Sequence, residues 1–442
     1  VPEKSFYIET YGCQMNVADS EVVAAVLRQC NYQHTEHPEE ADLILVNTCS
    51  VREHAEQRVR TRLRELGKIK QKHGQVKLGV IGCMAERLKG KLLEEEPMVD
   101  LVVGPDAYRL LPDLLEEVDG GGKGINTLLS TVETYADIDP VRMDKNHVTS
   151  FISVMRGCNN HCAYCVVPST RGRERSRDPE TVIGEARTLF DQGYREVTLL
   201  GQNVNSYRWN ANGEKVSFEE LLGRVARIDP MLRVRFTTSH PRDLSDDLLK
   251  QMALFPNICR AIHLPVQSGS TRMLRKMKRR YTREDYMDRV EAIRTYLPDA
   301  SISSDIIAGF CGETEEDHRQ TLSLMEWAGF DFSFMFKYSE RPDTFAATHY
   351  PDDVPEAVKT RRLNEIIGLQ TRLSRESKEK AVGNILEVLV EGTSKKSEEH
   401  LFGRTSQNMV AVFPRGDHRP GDYVQVNITA CTPATLIGHP VP

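Results

Sequence analysis

No apolar run in this chain approaches the roughly 20 residues that a membrane-spanning helix needs, and no signal peptide precedes the first apolar segment. A cytoplasmic, reducing location is therefore expected, where thiolates bind metal more often than they form disulfides. Val1 stands where an initiator Met would be, which reads as a processed or trimmed chain. Positive charge is not in excess either. The net charge of −6 argues against indiscriminate nucleic-acid binding but leaves room for local basic surfaces. A length of 442 residues suggests about three domains, and a hydrophobic content of 39% is enough for ordinary cores.

The most informative shortage is of a fourth cysteine. Cys158, Cys162 and Cys165 stand at C-x3-C-x2-C spacing within residues 156–168 (RGCNNHCAYCVVP), and no further cysteine follows nearby. Three thiolates on one short loop can hold three irons of a 4Fe-4S cube. The fourth iron is then open to a small molecule, which in radical enzymes is S-adenosylmethionine. Structural zinc is the alternative, yet zinc wants four ligands, and His161 supplies one only awkwardly beside Cys162. A disulfide framework fits poorly with ten cysteines spread over 442 residues.

Between residues 5 and 118 strands alternate with helices, which implies a parallel sheet covered by helices. The strands are Phe6–Thr10, Asp42–Thr48, Val76–Gly82 and Val99–Val103. The helices are Asp19–Gln29, Val51 to about Lys72, and Ala85–Glu95. Cys13 lies just past the first strand, Cys49 ends the second and Cys83 ends the third, at separations of 36 and 34 residues. Carboxyl ends of parallel strands share one sheet edge, where sites form, so these thiols are expected to converge on a second metal site. Gly12 and Gly82 beside them permit close backbone approach. Each cysteine taken alone also reads as a small residue closing a strand.

Asp119–Gly124 reads as a flexible connector, and the stretch to about His147 as a link or covering segment. From Val148 a second α/β array follows, with strands at Val148–Met155, Glu196–Leu200, Arg233–Thr237, Ala261–Leu264, Ser301–Ile307 and Asp331–Lys337. Six βα units make a partial barrel whose functional loops lie at the carboxyl ends of its strands. A helix from Val358 to about Ala381 leads into residues 384–438, whose short alternating runs read as a small β-barrel. The expected domains are 1–118, 148–380 and 381–442, with 119–147 as linker. The fold class is α/β: a parallel βα domain, a partial (βα)6 barrel and a terminal β-barrel.

These segments resemble the methylthiotransferase family of radical S-adenosylmethionine enzymes over essentially the whole chain. The three spaced N-terminal cysteines, the C-x3-C-x2-C loop and a terminal barrel similar to a TRAM domain carry the family likeness. Residues 11–16 (YGCQMN), 47–53 (NTCSVRE), 171–177 (RGRERSR), 201–207 (GQNVNSY) and 263–269 (HLPVQSG) resemble the branch that acts on N6-isopentenyladenosine in tRNA. Cys311 after Gly309-Phe310, and residues 340–345 (ERPDTF), depart from the family pattern and bear on local loop shape.

The resemblance implies that Cys158, Cys162 and Cys165 hold a radical-generating 4Fe-4S cluster. It also implies that Cys13, Cys49 and Cys83 hold an auxiliary 4Fe-4S cluster with an open iron. One S-adenosylmethionine would methylate sulfur on the auxiliary cluster, and a second would be cleaved to a 5′-deoxyadenosyl radical. The methylthio group would then reach C2 of isopentenyladenosine next to the anticodon, with no side-chain acid or base assigned to catalysis. The implied partners are the tRNA anticodon stem-loop and a reductant protein such as flavodoxin or ferredoxin. No membrane partner is expected, and the chain is expected as a monomer. Alternative readings are a threonylcarbamoyl-adenosine or ribosomal-protein substrate, or a non-catalytic iron–sulfur RNA-binding protein.

S-adenosylmethionine contacts are expected at Gln202, Asn203, Ser239, Gln267, Ser268 and Asp305, with Gly309 admitting the adenine. RNA phosphates are expected at Arg171, Arg173, Arg175 and Arg177 after the cluster loop, and at Lys395, Lys396 and Arg404 in the terminal domain. Further basic runs lie at 58–72 and 272–280. Tyr207 or Trp209 is a candidate for stacking on the target base. Cys30, Cys259, Cys311 and Cys431 are expected as ordinary packed thiols.

Overall fold

Leu43–Thr48 is buried from end to end, the signature of a strand covered on both faces. Its side chains alternate between two cores: Leu43 and Leu45 enter one, Ile44 and Val46 the other. The computed structural model describes residues 3–49, 53–144, 146–211 and 213–441. Residues Ser50-Val51-Arg52 of the second motif lie outside them. The chain forms two compact units: Val1–Met143 with Met155–His161 and Cys165–Arg177, and Asp144–Val154 with Cys162–Tyr164 and Asp178–Pro442.

The first unit is built on a parallel sheet of β1 (Lys4–Thr10), β2 (Tyr32–His34), β3 (Leu43–Thr48), β4 (Lys77–Gly82), β5 (Leu101–Val103) and β6 (Gly124–Asn126), in the order β2-β1-β3-β4-β5-β6. One core takes helix Gln14–Gln29 and the segment around Tyr108 and Leu111. The other takes helix Glu53–Lys72 and Met84-Ala85. Two strands differ from expectation. β2 is three residues long, and β6 lies where a connector was expected; Tyr135 and Ile138 beyond it are buried in the first core. The helix expected over Ala85–Glu95 is broken at Lys89, whose φ of 52° ends Cys83–Leu88 and starts Gly90–Glu95.

In the second unit β7 (Thr149–Ser153) joins β10 (Glu196–Leu200) and β13 (Arg233–Phe236) in one parallel sheet. A second joins β14 (Ala261–His263), β15 (Ser301–Ala308) and β16 (Phe332–Lys337). A parallel bridge between Val234 and Ile258 links the two halves, so six strands follow one another in chain order as an open barrel. A short hairpin, β11–β12 (Arg208–Ala211, Glu214–Ser217), also lies in this unit, whereas the pair β8–β9 (Met155–Arg156, Arg175–Ser176) belongs to the first. Threonine capping boxes start the helices Arg283–Tyr296 and Glu315–Ala328.

The last segment, β17 (Ile385–Ser394), β18 (Ser397–Thr405), β19 (Val410–Pro414), β20 (Tyr423–Cys431) and β21 (Leu436–Pro440), closes into a five-stranded barrel around Val388, Val390, Phe413 and Val426. It is anchored at the amino-terminal ends of the open barrel's strands. Arg233 donates to the Arg404 carbonyl at 2.9 Å and stacks on Tyr423, whose hydroxyl donates to the Met231 carbonyl at 2.9 Å.

Candidate metal centres and cofactor pocket

Cys13, Cys49 and Cys83 follow β1, β3 and β4, three neighbouring strands whose registers run Thr10 to Asn47 and Thr48 to Gly82. Gly12 holds φ +133°, and a Cβ there would lie 2.6 Å from the Cys49 Cβ, so only glycine lets the first loop reach the second thiol. The Cys13 thiol is pulled down to about 6, chiefly by a hydrogen bond with Cys49, with the Arg171 charge adding to it. Burial pushes the Cys83 thiol up, against the opposing pull of Arg171. The thiols are graded in exposure: Cys13 exposed, Cys49 half-buried, Cys83 buried. Such a set presents one open side, and metal binding needs the thiolates that a depressed pKa favours.

Two asparagines brace this edge. Asn16 donates to the Asn47 side chain at 2.9 Å, and Asn47 donates back to the Asn16 carbonyl at 2.8 Å and to Ser20 at 2.9 Å. The Cys13 thiol donates to Asn16 Oδ1 at 3.2 Å. Both asparagines stand inside the cysteine motifs, three residues after Cys13 and two before Cys49, which was the available signal.

The basic run after the cluster loop corrects an expectation. Arg171, Arg175 and Arg177 are buried, and only Arg173 is exposed. Arg171 donates from Nε to Cys83 Sγ at 3.1 Å and pairs with Asp19 at 2.7 Å. Arg175 pairs with Asp106 at 2.8 Å and donates to backbone carbonyls of Ser130 and Glu133. As placed, these side chains serve the interior of the first unit and cannot meet a phosphate. Of the 58–72 run, Arg60, Arg62 and Lys70 pair with carboxylates, while Arg64, Lys68 and Lys72 recur every fourth residue on an exposed helix face. Arg272 of the third run pairs with Asp317.

Within the radical-type loop, the Cys158 amide donates to the Gly172 carbonyl at 3.1 Å, and the Val167 amide points at Cys165 Sγ at 3.5 Å. In the second unit, buried Arg279 donates to Cys162 Sγ at 3.4 Å and to the Pro265 carbonyl at 2.8 Å. All ten cysteines are free thiols, which removes the disulfide reading. Cys259 and Cys311 are buried, as expected of packed thiols.

The expected S-adenosylmethionine residues divide into two groups. Gln202 Oε1, Asn203 Oδ1 and Ser239 Oγ are buried without hydrogen-bond partners at the carboxyl ends of β10 and β13; both side-chain atoms of Asn205, which sequence reasoning left out, join them. Orphaned buried polar atoms cost stability unless a ligand satisfies them, so these residues fit a polar cofactor. Thr238 and Gln267, at strand ends, hold φ near +70°, a strain common at binding sites. Asp305 faces His263 at 3.4 Å. By contrast, Ser268 is satisfied internally by Thr321 and Ser270. Gly309, at φ +75°, makes room for the stem of Lys359. Tyr207 is fully buried and unavailable for stacking, whereas Trp209 is half-buried on the β11–β12 hairpin. Lys395 and Lys396 are exposed at the β17–β18 turn; Arg404 pairs with Glu391.

Comparison with known proteins adds to this geometry. Residues 5–104 match Uncharacterized protein family UPF0004, residues 152–325 the Radical SAM superfamily and residues 379–441 the TRAM domain. The structure is similar to the radical S-adenosylmethionine methyltransferase TsrM from Kitasatospora setae, with TM-score 0.59 and 15% identity, covering 78% of this chain and 75% of that one. It is also similar to the cobalamin-dependent enzyme OxsB, with TM-score 0.52 and 11% identity, covering 84% and 56%. These likenesses concern the fold alone. In sequence, the chain is 57% identical to a tRNA-2-methylthio-N(6)-dimethylallyladenosine synthase of Phocaeicola vulgatus, over 99% of this chain and 96% of that protein. The synthase of the same name from Porphyromonas gingivalis is 54% identical, over 99% and 95%. With relatives this close across its whole length, the chain belongs to the tRNA-2-methylthio-N(6)-dimethylallyladenosine synthase family.

Proposed function

We propose that this chain adds a methylthio group to C2 of N6-isopentenyladenosine next to the anticodon of tRNA. The observation that carries the reading is the placement of Cys13, Cys49 and Cys83 just past three neighbouring strands of one parallel sheet, in a chain that bears a separate C-x3-C-x2-C loop. One thiolate triplet suffices for a radical enzyme; a second fits delivery of sulfur. When bound, the two 4Fe-4S clusters supply electrons and sulfur, and S-adenosylmethionine supplies the methyl group and the 5′-deoxyadenosyl radical.

The chain's own residues have the following roles in this reading. Cys158, Cys162 and Cys165 hold the radical cluster, and Cys13, Cys49 and Cys83 the auxiliary one. The Asn16–Asn47 lattice fixes the loop that carries Cys13. Gln202, Asn203, Asn205 and Ser239 satisfy their orphaned polar atoms on the amino-acid or ribose end of S-adenosylmethionine, and Asp305 of β15, beside His263, contributes a further contact. Gln267 presents its strained backbone, while Ser268, held by Thr321 and Ser270, and Gly309, packed on Lys359, shape the neighbouring loops. Arg173, Lys395 and Lys396, exposed cations, meet tRNA phosphates, whereas Arg404, at the far end of β18 and paired with Glu391, contributes least. A single-stranded anticodon loop lets the target base be splayed out at low cost. We read the functional boundaries as 1–118, 119–147, 148–380 and 381–442, the cell compartment as cytoplasm, the electron source as a flavodoxin or ferredoxin, and the working form as a monomer. The absence of any helix long and apolar enough to cross a membrane, among the described residues, is consistent with that reading.

The test uses anaerobically reconstituted protein, S-adenosylmethionine and a strong reductant. The substrates are anticodon stem-loops bearing isopentenyladenosine, threonylcarbamoyl-adenosine or plain adenosine, with nucleosides read by mass spectrometry. Methylthio product from the isopentenyl loop alone is expected. Product from another loop would overturn the substrate, and no methylthio nucleoside with both clusters loaded would overturn the activity.

A further inference from the structure

Two buried arginines each donate to the sulfur of a cluster cysteine, and we propose that Arg171 and Arg279 are positioning residues that set the reduction potentials of the two clusters through Cys83 and Cys162. The inference rests on the cluster ligands assigned above.

In the first unit, Arg156, Arg171 and Arg175 are buried with Asp19 and Asp106. Arg156 and Arg171 share Asp19 at 2.8 and 2.7 Å, and Arg175 holds Asp106 at 2.8 Å. These five groups carry one positive charge in excess. A buried charge without a counter-charge is expensive, and the atom next to the surplus is Cys83 Sγ, 3.1 Å from Arg171 Nε. A cluster bound at Cys83 would place an anionic sulfur where this surplus points.

The second unit repeats the arrangement independently. Arg279 is buried, and its hydrogen bonds go to the Pro265 carbonyl at 2.8 Å, the Tyr281 hydroxyl at 3.0 Å and Cys162 Sγ at 3.4 Å. Among the described residues no carboxylate pairs with it, so a cluster held at Cys162 would supply its counter-charge. Hydrogen bonds and positive charge at cluster sulfurs favour the reduced, more negative cluster and raise its potential. Arg171 lies six residues past Cys165 in the chain, so the run that reads as an RNA patch contains an internal counter-ion instead.

The experiment is an EPR-monitored potentiometric titration of the doubly reconstituted protein and its Arg171→Met, Arg171→Gln, Arg279→Met and Arg279→Gln variants. In each variant the other cluster serves as internal reference. Arg171 variants are expected to lower the auxiliary potential alone, and Arg279 variants the radical-cluster potential alone. Each shift is expected to reach tenfold in the reduction equilibrium, about 59 mV for one electron. An unmoved potential in its own variant, or both potentials moving together, overturns the proposal. If one methionine variant does not fold, its glutamine counterpart and the other arginine decide by the same criterion. Cys83→Ala and Cys162→Ala are run alongside. Two clusters retained in either would sink the ligand assignment, whereas the loss of one cluster in each, with arginine variants unmoved, would sink only this inference.

Discussion

Glu86 shows how a single buried group shapes the first unit. It is almost fully buried, its Oε2 lacks a hydrogen-bond partner, and burial pushes its carboxyl from 4.5 up to about 7. The folded chain thus keeps a proton that the unfolded chain releases, so stability falls as pH rises from about 4.5 to about 7 and is then flat. Glu86→Gln should abolish that slope and stabilise the cluster-free protein above pH 7 by about 1–3 kcal/mol; denaturant titrations at pH 5 and pH 8 check it. An undiminished slope in the variant would contradict this account. Residue-level legibility was uneven. The six cysteines proposed as cluster ligands stood out by spacing, because a metal centre asks for ligands at regular positions. The arginines did not: a run such as 171–177 looks the same whether it meets phosphate or Asp19, and Asp19 lies far upstream. Orphaned atoms such as those of Asn205 are invisible until the loops are folded.

Among the elements, β3 is the most informative. Leu45 is fully buried in its centre, so Leu45→Ala should cost about 2–5 kcal/mol, measured by denaturant unfolding. Gly12→Ala makes a different prediction. A Cβ at φ +133° would lie 2.6 Å from the Cys49 Cβ and 2.9 Å from Asn16 Oδ1, so it strains the backbone and displaces the thiol edge. The variant should lose about 1–3 kcal/mol of stability to backbone strain, lose the auxiliary cluster's iron and retain the radical cluster, read by denaturant unfolding, iron content and EPR; full iron loading would refute that role for Gly12. Long apolar strands and the sixfold βα repeat were legible because burial on two faces leaves uninterrupted Val, Leu and Ile runs. β2 and β6 were not, since three residues carry no period and their register comes from β1 and β5. The break at Lys89 is likewise a matter of backbone conformation that no hydrophobic pattern encodes.

At the level of the whole molecule, the terminal barrel is seated by Arg233 and Tyr423, leaving the β17–β18 turn with Lys395 and Lys396 exposed. Replacing both lysines by alanine should weaken stem-loop binding severalfold and reduce its salt slope by about 1–2. Reductive cleavage of S-adenosylmethionine without RNA should not change; an unaltered salt slope would remove the turn from the RNA surface. The central claim is that two cysteine triplets do separate work, one generating the radical and the other delivering sulfur. Its most direct test is Cys83→Ala, assayed for 5′-deoxyadenosine and for methylthio nucleoside in the same reaction. The account predicts that 5′-deoxyadenosine is still formed and that methylthio product from the isopentenyl stem-loop disappears. Methylthio product at the parental rate would contradict it.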